Sequence, residues 1–125
     1  MIPKAQIMSE MVEPFTVKGR LTGDEYKIIF SHLYVGMTTR HADTIDCKFL
    51  VNGRGVIVGL AHLGFVDFQE RAGRSLHDHE AAHIAALFLK QFFEEDHAIP
   101  TQPLHVPREL LRKLAAQLGL PATAR

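Results

Sequence analysis

Thr22-Gly23-Asp24-Glu25-Tyr26-Lys27-Ile28-Ile29-Phe30-Ser31-His32-Leu33-Tyr34-Val35-Gly36 is the stretch whose conformation sets the topology of this chain. Its pattern predicts a helix. Thr22 stands where an N-cap belongs, and Glu25, three residues on, completes a capping box. Tyr26, Ile29, Phe30 and Leu33 recur at the spacing of one helical face. Gly36 then occupies the place of a left-handed C-terminal cap. On this reading His32 is a partly buried helix residue.

Outward from that stretch, Phe15 to Leu21 alternates apolar and polar residues, the period of a half-buried strand, with Gly19 weakening it or marking a bulge. Met37 to Asp43 reads as a polar connector in which Thr38, Thr39, Arg40 and His41 offer an anion some donors. Thr44 to Val51 and Gly55 to His62 flank Asn52-Gly53, the strongest short hairpin signal. Gly64 to Phe68 extends or bends that strand, and Gln69 to Ser75 is a polar loop. Ser75 and Asp78 form a second capping pair, opening a long helix that runs to about Asp96 and carries Phe88, Leu89, Phe92 and Phe93. The acidic run Glu94-Glu95-Asp96 opposes the helix dipole there. Leu104 and Val106 fit a short edge strand among prolines. Pro107 starts a last helix with Leu110, Leu111, Leu114, Ala115 and Leu118, stopped by Gly119 and Pro121.

The expected class is α+β: a small antiparallel sheet with helices packed on one face. The element order matches the ferredoxin-like β-α-β-β-α-β arrangement with an added C-terminal helix. Residues 15–120 form the single domain. Residues 1–14 form an N-terminal arm, where Ala5, Ile7, Met8, Met11 and Val12 make a helical stripe that Pro14 ends. Residues 121–125 form a loose tail.

At 125 residues and 46% hydrophobic, the chain has enough apolar material for a core without staples. Its formal net charge is zero, which argues against nucleic acid and anionic membranes as partners and leaves little repulsion against self-association. Cys47 is the only cysteine, so no intrachain disulfide forms and a cytoplasmic setting is expected. No apolar run is long enough to span a membrane, and the N-terminus has no signal-peptide core.

One short pattern carries chemistry. His79-Glu80-Ala81-Ala82-His83 spells H-E-x-x-H. Histidines four apart share a helix face and can aim at one ion, with the glutamate as general base on a metal-bound water. These five residues resemble the zincin signature. The resemblance implies zinc on His79 and His83 and catalysis by Glu80. The metzincin extension fails, because position 89 is Leu. A third ligand must come from elsewhere: His62, His97, His105, His41 or Asp67. A helical wheel turns His79, His83 and Lys90 away from the apolar stripe.

A second candidate lies at the start of the same helix. Arg71, Arg74 and Ser75, with His77, meet free backbone N–H groups that favour an anionic ligand. Three functional readings follow. The leading one is an interaction or ligand-binding module without catalysis, assembling as a homo-oligomer. The alternatives are a zinc-dependent hydrolase and a binder of a small anion.

Overall fold

The computed structural model describes residues 12–36 and 44–120. The expected arm up to Met11, the Met37–Asp43 connector with its anion reading, and the tail lie outside them. Four strands come first: β1 (Phe15–Lys18), β2 (Glu25–Gly36), β3 (Thr44–Val51) and β4 (Arg54–Ala61). Two helices follow, α1 (His62–Ala72) and α2 (Asp78–Glu94), then β5 (Leu104–Val106) and α3 (Arg108–Gln117). The strands form one sheet in the order β1-β2-β3-β4-β5. The fold is α+β. The sheet is mixed rather than purely antiparallel, because β5 runs parallel to β4. A parallel neighbour needs a long crossover, and α1 with α2 supplies it.

The helix expected over Thr22–Gly36 is a strand. This removes the first helix that the ferredoxin-like order requires. The cause is a bulge. β2 pairs Phe30 with Phe49 but His32 with Lys48, so Ser31 is an extra residue without its own partner in register. Tyr26, Ile28 and Phe30 face the core before the bulge, and Leu33 faces it after. The bulge stretches the core spacing from two to three, which mimics the helical 26, 29, 30, 33 pattern. Thr22, read as a helix cap, instead accepts the Asp24 N–H at 3.2 Å inside the β1–β2 turn.

The β3–β4 hairpin forms where expected. Asn52 and Gly53 take φ of 51° and 83°, the paired left-handed values of a tight hairpin turn. The Asn52 side chain accepts the Lys27 N–H at 2.8 Å and so ties the turn to β2. Gly64 to Phe68, expected as a strand continuation, is the middle of α1. Gly64 and Phe68 are its buried residues, one helical turn apart. Gly73, with φ 78°, closes the helix where a polar loop was expected.

The helices cover one face of the sheet. Val17, Ile28, Phe30, Cys47, Phe49, Val51, Val56, Val58, Leu60 and Val106 are buried together with Ile84, Leu89 and Phe93 of α2 and Leu111 and Leu114 of α3. Cross-strand register keeps these on one side: Ile28 opposes Val51, Phe49 opposes Phe30 and Val56, and Cys47 opposes Val58. α1 and α3 approach closely at Gly64. A Cβ there would stand 2.7 Å from Leu111 Cδ1 and 3.3 Å from its Cβ and Cγ. The Asp67 carboxylate bridges the same pair of helices, accepting from Arg112 Nη2 at 2.8 Å. No helix among the described residues is long and apolar enough to cross a membrane.

Gly64→Ala should therefore wedge α1 from α3. Leu111 is 1% exposed and has nowhere to swing. Equilibrium urea unfolding should show a loss of about 1–3 kcal/mol, the usual range for core overpacking.

Candidate functional site

The start of α2 gathers most of the residues that the sequence singles out. The helix begins at Asp78 with His77 as its N-cap, two residues beyond the expected Ser75–Asp78 pair. The capping box is His77–Glu80. The shift follows from what Glu80 can reach. Its Oε1 accepts the His77 backbone N–H at 2.9 Å. The same oxygen accepts from Arg74 Nη1 at 3.0 Å, and Oε2 accepts from Arg74 Nη2 at 2.8 Å.

Arg74 is held from three sides. Besides its two-pronged pairing with Glu80, Nη1 donates to the Ser75 carbonyl at 2.9 Å. Its guanidinium also lies 5.3 Å from the centroid of the Phe68 ring, a cation–π distance. Phe68 belongs to α1, so one arginine ties α1, the α1–α2 loop and the first turn of α2 together. Glu80 is the buried charged residue of the described core, at 9% exposure. Hydrogen bonds from Arg74, joined by the His77 N–H, outweigh the cost of burial and hold its carboxyl down at about 2, against an ordinary 4.5.

His79 and His83 both lie on the exposed side of α2. The His83 ring donates through Nδ1 to the His79 carbonyl at 2.7 Å. The His79 ring stacks against His77, with centroids 5.8 Å apart and planes 9° from parallel. A general base must present a free oxygen to the proton it removes. Both Glu80 oxygens are already occupied by Arg74 and the N-cap.

The residues considered as a third ligand are dispersed. His62 opens α1 and is exposed. His105 pairs with Gly59 on the outer side of the sheet. His97 stacks on Phe92 at 4.4 Å and lies 3.5 Å from Glu95. Asp67 is engaged by Arg112 and by Arg71 at 3.5 Å. His41 is outside the described residues. Among the described residues, no group of three His, Cys, Asp or Glu side chains is arranged to hold a metal ion.

The second candidate, Arg71, Arg74 and Ser75, also comes into view here. Each arginine is matched to a carboxylate of this chain, Arg71 to Asp67 and Arg74 to Glu80. Asp78 and Glu80 sit in the first turn of α2 and answer its positive end themselves.

Sequence reasoning missed Asp96. It takes a positive φ of 68°, a conformation that Asp tolerates better than most residues. Its carboxylate accepts the N–H groups of Leu21 at 3.3 Å and Thr22 at 3.2 Å, and the Thr22 hydroxyl at 3.1 Å. These bonds hold its carboxyl below the usual range and pin the β1–β2 turn to the end of α2. The expected dipole conflict is also relieved, because Glu94 pairs with Lys90 at 2.6 Å.

No family model, curated protein or solved structure matches this chain.

Removing the arginine tests the clamp. Arg74→Ala leaves a nearly buried carboxylate without its cation and should cost about 1–3 kcal/mol at neutral pH. The pH dependence has a definite sign. A carboxyl depressed on folding stabilises fully above its ordinary 4.5, and that contribution fades as pH falls toward 2. Urea unfolding across this window should show the wild type losing more stability than Arg74→Ala.

Proposed function

We propose that this protein is a non-catalytic interaction module that self-associates through the open face of its sheet. The observation that carries the reading is one-sided cover: the helices take one face and leave an apolar strip on the other. Ile29 and Leu50 are direct cross-strand partners on that face, and Ile57 lies diagonally from Leu50. Ile29 is 42% exposed. Lys27, His32, Lys48 and His105 ring the strip, with Asp46 among them.

β4 contributes Gly55 and Gly59, over which neighbouring side chains lie. Lys48 Cε is 3.2 Å and Asp46 Oδ1 is 3.1 Å from where the respective Cβ atoms would stand. A face with an apolar centre and a polar rim suits face-to-face docking. The edge strands β1 and β5 have only 4 and 3 residues, which limits edge-to-edge addition along them. The three central strands offer roughly 500 Å² per copy at ordinary strand spacing. Two copies then bury about 1,000 Å², the lower end of specific interfaces. Zero net charge leaves little overall repulsion between copies.

Two observations favour this over the other readings. The zinc-hydrolase alternative needs the Glu80 carboxylate free, and Arg74 engages it. The anion alternative needs Arg71 and Arg74 unmatched, and both are paired. A reducing compartment such as the cytoplasm belongs to the same proposal. Cys47 is buried, and burial, with the Asp46 and Asp78 charges adding, pushes its thiol up to about 12.

Sedimentation equilibrium at rising concentration tests the proposal. The wild type should pass from monomer to dimer. Leu50→Lys, on the open face, should stay monomeric with its unfolding free energy changed by no more than about 0.5 kcal/mol. A wild type that is monomeric throughout, or a Leu50→Lys dimer, contradicts it.

A further inference from the structure

Two opposite charges on the open sheet face belong to β3, and both lean over the glycines of β4. Lys48 Cε is 3.2 Å and its Nζ 3.8 Å from where a Cβ on Gly55 would stand. Asp46 Oδ1 is 3.1 Å from the same point on Gly59. The Asp46 carboxylate also accepts from the Thr44 hydroxyl at 2.6 Å, which holds its side chain in place. Among the described residues, no carboxylate forms an ion pair with Lys48 and no cation forms one with Asp46.

The placement of these charges is symmetric. Gly55, Ile57 and Gly59 share one side of β4, since side chains alternate along a strand. Ile57 is the midpoint, so the cation and the anion stand about 7 Å to either side of it. Consider a two-fold axis that lies in the interface and crosses β4 at Ile57. Turning a second copy about it exchanges the two ends, so Lys48 of each copy meets Asp46 of the other. An axis running along β4 instead sets cation over cation and anion over anion, an arrangement that suppresses binding. A purely apolar partner would bury both charges without counter-charges, which is costly. A uniformly acidic partner answers Lys48 but repels Asp46.

We infer that a second copy docks with its β4 antiparallel to this one, Ile57 at the two-fold axis, joined by two reciprocal Lys48–Asp46 ion pairs. The inference rests on the self-association reading. It adds to that reading the alignment of the copies and the residues that select it. One patch paired with itself closes, so assembly stops at the dimer.

Sedimentation equilibrium at neutral pH on charge-exchanged variants tests the alignment. Lys48→Glu makes both ends acidic, and Asp46→Lys makes both basic. Each should raise the dimer dissociation constant about tenfold or more. The double variant Lys48→Glu/Asp46→Lys exchanges the ends and re-forms both pairs. Its dissociation constant should return to within about threefold of the wild type, a coupling that independent sites do not show. Such a rescue also excludes misfolding as the cause of the single-variant losses, because the double variant carries both substitutions. A second readout needs no variant. Raising salt from about 0.05 M to about 0.5 M should weaken the wild-type dimer severalfold, by screening the charges as they meet. Single variants that dimerise like the wild type, a double variant that stays monomeric, or a dimer unmoved by salt overturns the alignment and leaves self-association standing. A wild type that is monomeric at every concentration removes the self-association reading, and the alignment with it.

Discussion

The Glu80 carboxylate fixes where α2 starts, and much of the fold follows from that. The group is nearly buried, and such a charge is costly unless paired and hydrogen-bonded. Here one oxygen serves the N-cap and Arg74, and the other serves Arg74 alone. Arg74 in turn rests on the Phe68 ring of α1. The start of α2 is thereby set relative to α1, and α2 carries Ile84, Leu89 and Phe93 onto the sheet. At the other end, Asp96 pins the helix terminus to the β1–β2 turn. Two carboxylates thus hold the long helix across the sheet.

This bears on how the H-E-x-x-H spelling is read. The pattern is real, and both histidines lie on the exposed side as the helical wheel predicts. The glutamate's role is decided by a residue six positions earlier. A motif reading weighs only spacing inside the motif. It has no means of seeing that Arg74 takes both glutamate oxygens, or that the capping box opens at His77 rather than Ser75.

The fold was legible where local signals agreed with the sheet and misread where they did not. Asn52-Gly53 forces a hairpin whatever surrounds it. The α2 and α3 stripes are long enough to declare themselves, and β5 is placed by its alternation among prolines. β2 was misread because Ser31 breaks its period, and a single bulge converts a two-residue repeat into a helix-like one. The start of α1 was misread because its apolar residues continue without a break from β4. There Gly73, which ends the helix, was the usable signal. Asp67 and Asp96 act through partners 45 and 75 residues away, beyond any local pattern.

The central claim is that Arg74 holds the Glu80 carboxylate as the anchor of the start of α2. A carbon-detected NMR titration of the Glu80 carboxyl, with and without added zinc, tests it most directly. The account predicts a midpoint near 2, unmoved by zinc. A midpoint at or above the ordinary 4.5, or one that shifts when zinc is added, would mean the carboxylate is free of Arg74 and would contradict it.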